Sequence, residues 1–157
     1  MSIDRVRAYF NEHHIPEEIL EFSVSSATVE LAAEALGVPG ACIAKTLSFQ
    51  NGESALLILA SGDARVDNKK YKQHFGRKAR FLTAEDALRF TGHEIGGVCP
   101  FALPEPLPVY LDISLKRFDI VYPAAGSPAS AVVIAPDRLQ EITGAEWIDV
   151  CTLPEEA

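Results

Sequence analysis

The chain has 157 residues, 48% of them hydrophobic, with 22 acidic against 14 basic side chains and a net charge of −8, enough for one well-buried core and too little for two ordinary domains, so a single globular domain over residues 1–157 is expected. No apolar run approaches the roughly 20 residues that cross a bilayer, and M-S-I-D-R-V-R alternates charge where a signal peptide would be apolar. Cys42, Cys99 and Cys151 are an odd number without a short C-x-x-C pair, and His13, His14, His74 and His93 show no metal-ligand spacing, which predicts a cytoplasmic protein without disulfide framework, membrane span or metal.

Ser2 is placed to cap a first helix whose Ile3, Val6, Tyr9 and Phe10 repeat at helical spacing, with Ile15-Pro16 at its exit. Residues 18–24 read as a strand. Thr28 or Ser26 caps V-E-L-A-A-E-A-L, which Gly37 ends. Residues 41–49 and 54–60 form the clearest hairpin, around Gln50-Asn51-Gly52-Glu53, and place Lys45 in mid-strand. Asp67 caps a helix that Gly76 ends, and Thr83 caps a second that Gly92 ends. P-E-P-L-P then excludes regular structure before a strand over 109–111. Strands over 119–122 and 130–134 flank the turn Gly126-Ser127-Pro128, Pro136 opens a helix over 137–142, and a strand over 147–150 closes the pattern. About seven short strands with four or five short helices predict an α/β domain, a curved mixed sheet with helices packed outside it.

Three features stand out from this background. Strand alternation puts Ile43, Lys45, Leu47 and Phe49 on one face and Cys42, Ala44, Thr46 and Ser48 on the other. An ammonium among large apolar side chains needs a partner: an internal carboxylate, an anionic ligand, or solvent reached by its head while the stem packs. Second, Gly96-Gly97-Val98-Cys99-Pro100-Phe101 combines permissive glycines with a stiffening proline. Such a loop either turns several N–H groups toward one oxyanion or phosphate, or simply connects two strands. Third, residues 65–80 hold Arg65, Lys69, Lys70, Lys72, Arg77, Lys78 and Arg80 against Asp67 alone, a local +6 that leaves −14 for the remainder of a chain totalling −8. The acidic total argues against coating a long duplex, whereas the basic segment suits a few phosphates at the end of a nucleic acid, or forms a solvated helix face.

The order T-V-E-L-A-A-E-A-L-G-V, I-A-K-T-L, S-G-D-A-R-V-D-N-K-K, G-G-V-C-P-F and A-A-G-S-P resembles the YbaK/prolyl-tRNA-synthetase-associated domain family of aminoacyl-tRNA editing domains. The resemblance covers about residues 2–153, with no synthetase domains flanking it, and so implies a freestanding member. It implies a partly closed barrel of about seven strands surrounded by helices. It also implies trans-editing: metal-independent, cofactor-free hydrolysis of the ester in a mischarged tRNA carrying Cys, Ala, Ser or Thr. The partners implied are the tRNA acceptor end and prolyl-tRNA synthetase.

Carried over residue by residue, Lys45 holds the terminal adenosine or the carbonyl region of the substrate, while Gly96, Gly97 and Val98 offer backbone amides to the ester carbonyl. Thr46 contributes from its backbone, and Cys99, Pro100 and Phe101 shape the pocket with Gly126, Ser127 and Ser130. Arg65, Lys69, Lys70 and Lys72 bind the tRNA. In members acting on cysteinyl-tRNA the substrate thiol attacks, and in the others a positioned water does.

Rival readings are weaker. Cys99 as a nucleophile has no histidine spaced to activate it and fits a small buried hydrophobe better. Lys45 as a Schiff-base lysine lacks a cofactor fingerprint. His93 either orients a ligand or is structural. The chief alternative is a non-catalytic tRNA- or synthetase-binding module of the same fold, and a third is a small-molecule or peptide-binding regulator.

Overall fold

A computed structural model describes residues 2–25 and 28–154. In chain order the elements are α1 (Ser2–Glu12), β1 (Ile19–Glu21), α2 (Val29–Leu36), β2 (Ala44–Asn51), β3 (Ser54–Ser61), β4 (Arg65–Val66) and α3 (Asn68–Phe75). They continue with α4 (Ala84–Thr91), β5 (Val109–Asp112), β6 (Ser130–Val132), α5 (Pro136–Thr143), β7 (Glu146–Ile148) and β8 (Cys151–Thr152).

The most apolar segment, S-A-L-L-I-L-A-S, becomes β3 and is buried at every position from Ala55 to Ser61, as a strand covered on both faces must be. β2 runs antiparallel to it, from Ala44 opposite Ser61 to Asn51 opposite Ser54. β5 adds in parallel on the other side and β7 in parallel beyond that. The result is an open mixed sheet in the order β2-β3-β5-β7. β1 pairs with β6 and β4 with β8 in two separate two-stranded ribbons.

Alternation along β2 and β3 divides the core in two. On one face Ala44, Leu59 and Leu111 pack with Val6 and Phe10 of α1 and Leu139 of α5. On the other, Phe49, Ile58 and Ala60 pack with Tyr71 of α3 and with Ile148. Each large side chain so buried contributes about 1.5–3 kcal/mol of hydrophobic free energy, which is why the sheet rather than the short helices fixes the architecture.

Capping follows the side chains expected for it. The Thr28 hydroxyl accepts from the Leu31 amide, the Asp67 carboxylate from the Lys69 and Lys70 amides, and the Thr83 hydroxyl from the Asp86 amide. Ser26, the alternative cap, lies outside the described residues.

Other expectations are corrected. Ser2 is inside α1, and its hydroxyl meets His93 Nδ1. The strand expected over 18–24 shortens to three residues because β6, its partner, offers only three. The expected pairing of 119–122 with 130–134 is present but short: Val121 and Ile134 exchange hydrogen bonds across an antiparallel bridge and the Val132 amide donates to the Pro123 carbonyl, while the opposite edge of β6 carries β1 and Tyr122 bridges to Ile43. The last strand stops at Ile148, and the chain turns to form β8, unforeseen because a two-residue strand has no periodicity to read. Eight strands are described, and the four-stranded sheet ends at β2 and β7 without closing as a barrel.

Candidate active site

A cavity of about 190 Å³ opens along the outer edge of β2. Its strand wall is Ile43, Ala44, Lys45, Thr46 and Ser48; Gly96 and Val98 come from the glycine loop, and Ala124, Ser130 and Ala131 from the segment around β6. Val29 and Ala32 close it from α2. Ile95, 60% exposed, stands at the rim.

The cavity occupies a gap in the sheet edge. At one end of β2 the Ala44 amide donates to the Tyr122 carbonyl and the Tyr122 amide to the Cys42 carbonyl. At the other end the Leu82 amide donates to the Ser48 carbonyl and the Gln50 amide to the Arg80 carbonyl. Residues two apart on an edge strand turn their main-chain groups outward together, so Thr46 is the next in this series. Among the described residues its outward main chain makes no bond to a neighbouring segment.

Lys45 is the second residue of β2 rather than mid-strand. It shares a face with Leu47 and Phe49, as alternation requires, and both pack in the second core. Its partner is neither a carboxylate nor open solvent: the half-buried ammonium donates to the Ala64 carbonyl at 2.5 Å and the Gly62 carbonyl at 3.4 Å. Burial lowers its pKa below the ordinary lysine value, opposed in part by Cys151 and Asp63. An ammonium has three donors, so two carbonyls leave one N–H for a further acceptor.

The turn supplying those carbonyls is itself tied down. Asp63 accepts from Arg117 at 2.6 and 3.2 Å and from the Ser61 hydroxyl at 2.6 Å. The Arg117 hydrogen bond, more than any other effect, holds the Asp63 carboxyl below its usual range. A depressed carboxyl pKa adds stability that is complete above the unfolded value, about 4, and is lost as pH falls through the folded value. The melting-temperature gap between the native protein and Asp63→Asn is therefore expected to be widest near neutrality and to narrow below about pH 4. A gap independent of pH would refute this.

In the glycine loop the residues divide by face. Gly96 and Val98 line the cavity, whereas Cys99 and Phe101 belong to the first core, Phe101 lying edge-on to Phe10 with ring centroids 5.1 Å apart. Gly97 abuts the Gly126-Ser127 backbone, where a Cβ would lie 2.7 Å from the Ser127 nitrogen, so only glycine fits. Its amide donates to the Glu94 carbonyl at 2.9 Å, leaving none for a ligand.

Folding brings together a pair that spacing did not reveal. His93 Nε2 lies 3.4 Å from Cys99 Sγ and 2.8 Å from the Phe101 carbonyl. The pair remains structural: both residues are fully buried, and burial pushes the thiol up to about 12 and the imidazole down.

The two serines separate as well. Ser130 is on the cavity wall, while Ser127 and Gly126 line a different concavity with Ser2 and Arg5. Pro100 and Phe101 line a third, apolar one. Among the expected tRNA contacts, Arg65, Lys69 and Lys72 are exposed. Lys70 is instead half-buried, bound to the Asp149 carboxylate at 3.1 Å and the Cys151 carbonyl at 2.9 Å. Sequence reasoning did not assign Val29, Ile43, Ser48 and Tyr122 to the site; the alternation of I-A-K-T-L-S was the usable signal for Ser48.

This α/β fold, with a small cavity between a lysine-bearing edge strand and a glycine loop, is that of an editing domain. The chain belongs to the family described as the aminoacyl-tRNA editing domain, which it matches over residues 24–142. It is 52% identical over 153 residues to the protein YwhH of Bacillus subtilis, covering 96% of this chain and 98% of that one. It is 31% identical over 130 residues to the proline–tRNA ligase of Thermotoga maritima, covering 82% of this chain but only 22% of the ligase. Among solved structures it is similar to a candidate trans-editing enzyme for prolyl tRNA synthetase, with a TM-score of 0.89, 33% identity, and coverage of 96% of this chain and 97% of that one.

Proposed function

We propose that the protein is a trans-acting aminoacyl-tRNA deacylase that hydrolyses the ester joining a small amino acid, Cys, Ala, Ser or Thr, to the tRNA 3′ end. The observation carrying this reading is the cavity itself. At about 190 Å³ it lies below the roughly 300–1,000 Å³ of drug-sized ligand sites, and it sets a half-buried ammonium beside unbonded strand edge. The remaining N–H of Lys45 holds the carbonyl region or the terminal ribose. The Gly96 and Val98 amides face the ester carbonyl as negative charge develops on it.

Water, or the substrate's own side chain, adds to that carbonyl; the C–O bond to the ribose breaks and the ribose oxygen takes a proton. An ester is already activated, so positioning and polarisation suffice without a strong base or a metal. Arg65, Lys69 and Lys72 contact the phosphates of the acceptor end, and prolyl-tRNA synthetase is the partner whose errors are cleared.

The test is release of amino acid from a panel of Cys-, Ala-, Ser- and Thr-charged tRNAs by the protein. Turnover on one or more members supports the reading. No turnover, with tRNA still bound, overturns it and leaves a binding module.

The phosphate contacts predict that the Lys69→Ala, Lys72→Ala double variant binds tRNA more weakly. The slope of log affinity against log salt should fall by about one per lysine removed. An unchanged slope in filter-binding titrations would remove these residues from the interface.

A further inference from the structure

We infer that Phe81 is a stacking platform for a base of the single-stranded tRNA 3′ end, and that Arg77, Lys78 and Arg80 beside it hold the phosphates of that strand. This rests on the deacylase reading above, which puts the aminoacyl group in the cavity at the edge of β2. Phe81 is 60% exposed, although its ring lies stacked on the buried Phe49, with centroids 4.6 Å apart and planes at 30°. One face is thus backed by the core, and the exposed area is the other face and the rim.

The surroundings of the ring are charged rather than apolar. A concavity of about 340 Å³ next to it is lined by Gln50, Gly52, Arg77, Lys78 and Arg80, with no carboxylate among them. Among the described residues none of the three cations forms an ion pair. An open π-face beside unpaired cations is the combination that grips single-stranded nucleic acid, the ring taking a base and the charges the phosphates. A duplex keeps its bases stacked inside and offers none to the ring, and an acidic peptide would use the cations alone.

Position makes the strand in question the one that ends in the cavity. The segment carrying Phe81 is bonded to β2 immediately beyond the opening, the Leu82 amide donating to the Ser48 carbonyl and the Gln50 amide to the Arg80 carbonyl. Ser48 lines the cavity and Gln50 the basic concavity, two residues or about 7 Å apart on one strand. Phe81 also lies over Phe49, which alternation puts on the same face of β2 as Lys45. An ester held in the cavity therefore brings the nucleotides before the terminal adenosine across this segment.

The experiment titrates the native protein, Phe81→Ala, Phe81→Trp and the Arg77→Ala, Arg80→Ala double variant with three probes: an uncharged acceptor-stem hairpin ending in the single-stranded 3′ tail, the same hairpin without the tail, and a glutamate peptide of matched charge. Phe81→Ala should weaken binding of the tailed hairpin by about tenfold, the worth of one stacked base. Its slope of log affinity against log salt should stay native, its affinity for the blunt hairpin should not change, and Phe81→Trp should bind like the native protein. The double variant should instead lower the slope by about 0.7 per arginine. Melting temperatures establish that all variants fold. Equal affinity of native and Phe81→Ala protein for the tailed hairpin, or tighter binding of the glutamate peptide than of that hairpin, overturns the inference. Because no probe carries an ester, the two readings fail separately: turnover of charged tRNA with no effect of Phe81→Ala sinks this inference alone, and tail binding through Phe81 without turnover sinks the deacylase reading alone.

Discussion

Replacing Lys45 by alanine is expected to lower kcat/KM on the mischarged tRNA that the protein clears by about 10²–10³-fold, the usual cost of losing one preorganised donor at a reacting carbonyl. The effect on folding should be much smaller. The ammonium donates to the Gly62 and Ala64 carbonyls, but those bonds are offset by the burial that already depresses its pKa. Lys45→Met, which keeps the packed stem and removes the charge, should match the alanine variant in activity and the native protein in melting temperature.

Charge also sets a pH dependence. In the proposed mechanism the active form is the ammonium, present below its pKa and lost as pH rises through it. Because burial holds that pKa below the ordinary 10.5, the enzymatic rate, corrected for spontaneous ester hydrolysis, should decline at a lower pH than a solvated lysine would give. A Lys45→Ala protein that retains native kcat/KM would remove the lysine from the chemistry.

Gly62→Ala should have the largest effect on stability. A Cβ at Gly62 would lie 2.1 Å from the Gly40 carbonyl oxygen and 2.7 Å from Val29 Cγ1. The first contact is with backbone, so no rotamer relieves it; the turn leaving β3 and the segment entering β2 must move apart. Overpacking of this kind costs about 1–3 kcal/mol, which for a chain of this size lowers the melting temperature by roughly 2–4 °C per kcal/mol. The same movement displaces a carbonyl that anchors Lys45, so activity should fall in parallel. A melting curve indistinguishable from the native one would show that the turn yields without cost.

The parts of this architecture that the sequence disclosed are those governed by local chemistry. The caps at Thr28, Asp67 and Thr83 and the hairpin of β2 and β3 follow from residue type and short-range period. What escaped depends on partners far along the chain. The β4–β8 ribbon joins Arg65-Val66 to Cys151-Thr152, and the contact of His93 with Ser2 exists only because α1 folds onto the loop. Alternation correctly separated Lys45 from Thr46, yet it could not say that the lysine would be met by carbonyls, since main-chain acceptors have no signature in the residue letters. Nor could it show that the amide of Gly97 is already committed to Glu94.

The interrupted pairing along β2 also bears on how the protein behaves in a crowded solution. A bare sheet edge is a template on which a second chain can add a strand, the first step toward swapped dimers and fibrils. Here Tyr122 covers one end and Arg80 with Leu82 the other, so the accessible stretch is confined to the neighbourhood of Thr46. Strands usually run from 3 to about 10 residues, and a stretch this short gives an incoming strand almost no ladder to build. The opening is thus wide enough for one small guest and too narrow for polymerisation.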